Sequence, residues 1–568
     1  MYLEKINSPK DLRKLDIKVL PNLAKEIRNE IIEVANVNGG HLASNLGVVE
    51  LTIALHYVFD TPKDKLIFDV GHQIYTHKIL TGRKDKFDTI RQKDGLSGFS
   101  NAKESEYDTY ITGHSSTALS LACGLARART LTNQNFEIVS VIGDGSLSGG
   151  MVYEALNDDY NVDGKQIIII NDNSMSISKT VGYIPQLLNR ADRYAKKGII
   201  PTTNYEYYAG INGHDFNQLI DILTYAKNCD NNIIIHINTV KGKGYRQAEL
   251  DPLTYHGLVN QKETIGDWTF SKQAGKSLAH IATEDTKVVA ITAAMLNSVG
   301  LFKFSQLYPN RVYDVGICEE HAVTMAAGMT ALGLKPYVCI YSTFLQRAVD
   351  QIIHDVCIDD LPVTFMVDRC GLVCDDGQTH QGIYDLSFFN SLPNMTVLAP
   401  KDYEELDKMV EWSKDFNHPL CIRYPKGDIK VKYEKTTDTL NKIWEYLYKI
   451  DNDRIVISSG AKMCELAYLT NNTLQTKDKY NIINARSINP LDEEFLKTLT
   501  NKKVVVLEDN IKGGGLYSSI LMYLNEHDIS CKIKSLSIDK VMPTIGIVGE
   551  LQAQVGLTKE NILKALEK

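Results

Sequence analysis

The sequence predicts an α/β fold of three parallel-sheet-based domains, and three observations lead there. Short Ile- and Val-rich runs alternate with amphipathic helical stretches along the whole chain. This is the rhythm of parallel strands covered by helices on both faces. At 568 residues the chain is too long for a single core. Polar joints around 249–267 and 425–439 then divide it into blocks at 1–262, 268–432 and 440–568.

In the first block, strands are expected over 65–70, 109–111, 137–142, 166–170 and 232–240. In the second they are expected over 288–292, 312–317, 337–341, 363–367, 396–399 and 420–423. The third should contribute 454–458, 480–484, 503–507 and 531–537. Each run is apolar, rich in β-branched residues, and ends in a Gly, Asn, Asp or Ser turn.

Composition removes several function classes. The net charge of −8, with both signs interspersed, offers no general attraction to nucleic acid or anionic lipid. No run of eighteen apolar residues exists, so no membrane span is expected. The N-terminus lacks an apolar signal core. Ten scattered cysteines without a Cys-x-x-Cys pair read as buried thiols of a reducing cytoplasm.

The richest segment runs from Gly143-Asp144-Gly145-Ser146 to Asn171-Asp172-Asn173-Ser174-Met175. A strand ends in a glycine turn at Gly143 and Gly145, and a helix starts just after. Free N–H groups at such a start suit phosphate oxygens. Asp144 and Asn173 offer the hard oxygen ligands that Mg²⁺ accepts beside phosphate. Histidines cluster at turns: His41 after Gly39-Gly40, His72 in Asp69-Val70-Gly71-His72-Gln73, His114 in Thr112-Gly113-His114-Ser115-Ser116. Two of these turns follow strands, where ligands bind in parallel sheets. The second block adds Gly316-Ile317-Cys318-Glu319-Glu320-His321, an acidic pair at a helix start. It also adds Tyr341-Ser342-Thr343-Phe344-Leu345-Gln346-Arg347, Asp368-Arg369, and the polar loop Asp376-Gly377-Gln378-Thr379-His380. Lys241 follows one strand of the first block and Arg423 ends the last strand of the second; such cations suit phosphate.

Together these strings resemble the 1-deoxy-D-xylulose-5-phosphate synthase family of transketolase-like thiamine diphosphate enzymes. The resemblance covers nearly the whole chain. It implies the thiamine diphosphate-binding, transketolase-like fold, with the first block at the diphosphate end of the cofactor and the second at the pyrimidine end. It implies that pyruvate and D-glyceraldehyde 3-phosphate give 1-deoxy-D-xylulose 5-phosphate and CO₂. Under it Asp144, Asn173 and the Met175 carbonyl hold Mg²⁺, and Gly143, Gly145, Ser115 and Ser146 face the diphosphate. His72, His114 and Lys241 line the diphosphate and substrate side. Glu319 contacts N1′ of the aminopyrimidine and promotes loss of the cofactor's C2 proton, while Phe344 stacks on that ring. His41 and His380 lie near the pyruvate-derived carbon and Asp376 meets the acceptor hydroxyls. Tyr341, Arg347, Arg369 and Arg423 serve the acceptor, with His256 a further substrate residue. A cytoplasmic homodimer follows by the same resemblance. Three features depart from the family pattern, one of them the loop Gly95-Leu96-Ser97-Gly98-Phe99-Ser100 before His114. Glu320 stands where a glutamine is usual, and the stretch between Gly182 and Gly213 is abridged. A transketolase-like paralogue moving a ketol unit between sugar phosphates is the alternative enzyme, distinguished by its donor. A non-catalytic thiamine diphosphate-binding protein is the other alternative, and it would have no use for the acid–base set.

Overall fold

The computed structural model describes residues 1–158, 164–175, 181–194, 205–261, 266–374, 376–433, 443–539 and 542–567. They form two compact units. The first is Met1–Glu263 with Gly316–Cys318 and Asp375–Thr379; the second is Thr264–Val315 with Glu319–Cys374 and His380–Lys568. The joints expected at 249–267 and 425–439 lie partly outside the described residues, as does part of the abridged stretch.

The first unit is built on β1 (Lys65–Phe68), β2 (Ile138–Gly143), β3 (Ile167–Asp172), β4 (Tyr205–Asn212) and β5 (Asn232–Asn238), in the order β1-β2-β3-β5-β4. All pairings are parallel. Side chains alternate across a strand, so β3 feeds two cores. Ile167 and Ile169 join one apolar cluster, and Ile168 and Ile170 join another on the opposite face. The first cluster takes the helix Leu20–Asn38, whose buried Leu20, Leu23, Ala24, Ile27, Ile31 and Ala35 recur at helical spacing.

The second unit has two sheets. β6 (Val288–Thr292), β7 (Val312–Asp314), β8 (Lys335–Tyr341), β9 (Thr364–Cys370), β10 (Thr396–Leu398) and β11 (Leu420–Pro425) belong to the larger. β12 (Glu445–Tyr448), β13 (Arg454–Ser458), β14 (Asn481–Asn484), β15 (Ser487–Asn489), β16 (Lys503–Ile511) and β17 (Lys532–Ile538) follow. The larger sheet runs β15-β10-β11-β9-β8-β6-β7 and the smaller β12-β14-β13-β16-β17. Thus β15, from the third block of sequence, closes the edge of the middle block's sheet in antiparallel register. One apolar cluster runs from Phe270 through Leu524, so these two blocks share a core.

Four elements differ from expectation. Residues 109–111 form no strand; Ile111 is exposed and the segment has no apolar face to bury. The added strands β4, β12 and β15 are sheet edges; β4 and β12 carry half-exposed residues that hide the alternation marking a strand, and β15 is only three residues long.

Candidate active site

In the first unit β2 and β3 deliver their turns side by side, because their register pairs Gly143 with Asn171. The Asp144 N–H donates to the Asn171 carbonyl at 3.2 Å. In return the Asn173 N–H is bonded to the Asp144 carboxylate. Asp144 Oδ2 and Asn173 Oδ1 are both buried without a hydrogen-bond partner. Burial, with the Asp172 carboxylate nearby, pushes the Asp144 carboxyl up to about 7 against the pull of Lys241. Burial draws the Lys241 ammonium down to about 8, with Asp144 opposing. Two orphan hard oxygens beside a strained acid fit a small dication. Among the described residues no three His, Cys, Asp or Glu side chains converge as a cage. An ion here would therefore need amide, carbonyl or ligand oxygens as well. Asp144, Gly145 and Ser148 line a cleft with Gly316 and Ile317. The Ser148 hydroxyl accepts the Ile317 N–H at 3.1 Å. Ser115 and Ser146 are buried nearby in sequence turns, and the Ser116 hydroxyl donates to the Ser146 carbonyl at 2.9 Å.

The histidine turns converge. His41 lies 5.3 Å from His72 and 5.4 Å from His256, ring centre to ring centre, and 5.5 Å from Phe99. His256 is therefore part of the same cluster. An antiparallel bridge between Gly40 and Leu258 brings the two segments together. A Cβ on Gly40 would fall 2.2 Å from the Tyr75 hydroxyl, at φ +116°, so glycine is required. Burial holds the His256 imidazole well below its usual range, with Lys241, His41 and His72 adding to the effect. Sequence reasoning missed Asn45. Its amide donates to the His41 carbonyl at 2.7 Å and the His72 carbonyl at 2.8 Å, stapling the two turns. Arg91 was missed too; its guanidinium pairs with Asp376 at 2.8 Å. The same loop gives its Thr379 carbonyl to His114 Nε2 at 2.9 Å. Asn45 shares the Gly39–Gly47 string with His41 but is overshadowed there by the histidine, and Arg91 lies outside any such string, so only the fold shows their part in the site.

In the second unit Glu319 opens the helix Glu319–Thr330 and is 2% exposed. Its Oε2 has no hydrogen bond, and Arg347 Nη1 stands 3.9 Å away. Burial pushes the carboxyl up to about 7; Arg347 opposes and Glu320 adds. Such a group can hold or release a proton near neutrality. Phe344 lies 5.8 Å from Tyr341 in a stacked pose and 5.6 Å from His380, edge to face. The Arg369 guanidinium sits 3.9 Å over the Tyr341 ring. Tyr341, Phe344, Arg369 and His380 are thus one cluster. Arg423, also expected at the acceptor, is held by ion pairs. It is buried, with Nε 2.7 Å from Asp385 and Nη2 3.3 Å from Asp509. Two carboxylates balance its charge, and through Asp509 it stitches β11 to β16.

Parallel sheets carrying a glycine–aspartate turn, an asparagine turn and a helix-start glutamate define a transketolase-like enzyme. Residues 267–432 match the transketolase pyrimidine binding domain and 445–562 the transketolase C-terminal domain. Residues 3–199 match 1-deoxy-D-xylulose-5-phosphate synthase. The synthase of Clostridium tetani is 42% identical, over 100% of this chain and 99% of its own length. That of Clostridium perfringens is 43% identical, over 99% of each. Transketolase from Campylobacter jejuni aligns over 98% of this chain and 100% of its own, at 16% identity and a TM-score of 0.46. The chain belongs to the 1-deoxy-D-xylulose-5-phosphate synthase family, which implies thiamine diphosphate as cofactor. The alignment with the Clostridium tetani synthase spans 615 positions against 568 residues here, so this member is the shorter.

Proposed function

We propose that this chain condenses pyruvate with D-glyceraldehyde 3-phosphate, releasing CO₂ and 1-deoxy-D-xylulose 5-phosphate. The full-length likeness to synthases at 42% identity carries this reading. The site residues support it. Mg²⁺ would be held by Asp144, Asn173 and the Met175 carbonyl, with the two orphan oxygens as its first contacts. His72, His114, Ser115, Ser146 and Lys241, with the glycines Gly143 and Gly145, would receive the diphosphate. Thiamine diphosphate, when bound, supplies the nucleophilic carbon and the electron sink for decarboxylation and carbon–carbon bond formation.

The side chains do the rest. Glu319, poised near neutrality by burial, holds a proton at the ring nitrogen of the aminopyrimidine, and Phe344 orients that ring. His41, His256 and His380 bind the pyruvate carbon skeleton and exchange protons with its oxygens. Arg91 aims the Asp376 carboxylate, which receives the acceptor hydroxyls. Tyr341, Arg347 and Arg369 take the acceptor phosphate, Arg369 being held over the Tyr341 ring. The working form is a homodimer in the cytoplasm. No helix among the described residues is long and apolar enough to cross a membrane.

Donor choice separates this reading from a transketolase. Purified chain with thiamine diphosphate and Mg²⁺ should release CO₂ from pyruvate when glyceraldehyde phosphate is added. Transfer from a ketose phosphate without CO₂ would overturn the proposal. Cofactor binding without turnover of either donor would favour a non-catalytic binder.

A further inference from the structure

One face of the first unit's sheet carries a polar line that the site residues do not account for. On β3, Ile168 and Ile170 point into one apolar cluster, and Ile234 of β5 joins it. By the two-residue period of a strand, Asp172 and His236 share that face. His236 is fully buried there. Its Nε2 lies 3.0 Å from Asp172 Oδ2, and its Nδ1 lies 2.9 Å from the Tyr207 hydroxyl on β4. The other Asp172 oxygen, Oδ1, accepts the Ser174 N–H at 2.9 Å. Ser174 has φ +58°, a left-handed conformation that a serine adopts only when its surroundings hold it there. Asn173 and Met175 flank it.

A chain of hydrogen bonds therefore runs across three strands, from Tyr207 through His236 and Asp172, into the turn that presents Asn173. For a neutral imidazole the polarity of the chain follows. A carboxylate only accepts, so Nε2–H donates to Asp172. Nδ1 is then the acceptor for the Tyr207 hydroxyl. A buried histidine in an isoleucine-rich strand is costly unless both ring nitrogens are satisfied, and here both are.

We propose that His236 is a positioning residue for the Mg²⁺ site. It locks the Asp172 carboxylate, Asp172 holds the left-handed turn at Ser174, and the turn sets the Asn173 side chain and Met175 carbonyl at the ion. Tyr207 fixes the imidazole tautomer. Groups that orient metal ligands in this way typically contribute about 10–100-fold to metal affinity. The inference rests on the reading of Asp144 and Asn173 as Mg²⁺ ligands, and its test separates the two.

Metal-free protein with thiamine diphosphate is titrated with Mg²⁺ and binding is read by calorimetry, with no turnover assay involved. His236→Leu should weaken Mg²⁺ by about 10–100-fold. His236→Gln, which keeps an N–H donor towards Asp172, should recover most of that affinity. Tyr207→Phe should weaken Mg²⁺ less than His236→Leu. A folded His236→Leu with unchanged Mg²⁺ affinity, alongside an Asp144→Ala that has lost it, overturns the positioning role and leaves the ligand reading standing. Unchanged affinity in Asp144→Ala overturns both. Should His236→Leu fail to fold, Tyr207→Phe decides: weakened Mg²⁺ binding supports the role and unchanged binding overturns it.

Discussion

Glu319 shows how burial turns a common residue into a reactive one. A carboxylate at a helix start is ordinarily a cap stabilised by the dipole. Here the side chain is enclosed, one oxygen is unpartnered, and Arg347 is too far for a tight pair, so its carboxyl rises to about 7. Glu319→Ala should lower kcat by about 10²–10⁴-fold, the usual share of a positioned acid–base group. Steady-state CO₂ release measures it, and wild-type turnover would refute the role. Stability gives a second readout. The folded chain binds this proton more tightly than the unfolded chain, whose glutamate titrates near ~4.3. The group therefore costs nothing at low pH, and stability is lost as pH rises from there through about 7. Cofactor-free Glu319→Gln should be more stable than wild type at about pH 8, by on the order of 3–4 kcal/mol, with the gap shrinking towards about pH 5. Urea denaturation at both pH values checks this; a pH-independent gap would contradict it. Much of the candidate site was legible at this scale, because His41, His72 and His114 each follow a glycine in a turn. Asn45, Arg91 and His236 were not. Asn45 and Arg91 act by binding backbone or a partner far away in sequence, and His236 hides in an isoleucine strand.

At the scale of elements, Asp69 ties a strand to a helix. It follows β1, and its carboxylate accepts the N–H groups of Ser116, Thr117 and Ala118 at 2.8, 3.0 and 3.1 Å. These are the opening donors of the helix Ala118–Leu131, which a helix cannot satisfy internally. The site residues His114 and Ser115 immediately precede this start. Asp69→Ala should therefore cost about 1–2 kcal/mol of stability and weaken cofactor binding as well. Thermal melting and thiamine diphosphate titration measure the two effects, and an unchanged Tm would remove the capping argument. Central strands such as β2, β3 and β5 were legible because burial on both faces makes them continuous apolar runs. Edge strands were not. β4 reads Tyr-Glu-Tyr-Tyr-Ala-Gly-Ile-Asn, with little apolar alternation, and β15 is three residues whose pairing depends on β10, ninety residues away in sequence. The false strand at 109–111 is the reverse error, three residues of suitable type with no face to bury.

Across the whole molecule, three blocks of sequence become two compact units because the second and third blocks share a core and a sheet edge. Arg423 is part of that joint. Removing it would strand Asp385 and Asp509 as buried, unbalanced charges, so Arg423→Met should cost about 3–5 kcal/mol. Loss of stability without a selective rise in KM for glyceraldehyde phosphate is the expected pattern; a stable variant with only a raised KM would restore the phosphate role. Sequence blocks could not show this fusion, since no local pattern records which carboxylates an arginine will meet. The proposed reaction joins a two-carbon unit of pyruvate to an aldehyde. Its most direct test is mass-spectrometric identification of the product from carbon-labelled pyruvate and D-glyceraldehyde 3-phosphate, with thiamine diphosphate and Mg²⁺ present. The expected product is labelled 1-deoxy-D-xylulose 5-phosphate carrying C2 and C3 of pyruvate, with C1 released as CO₂. Recovery of unreacted pyruvate from cofactor-loaded, folded protein would contradict it.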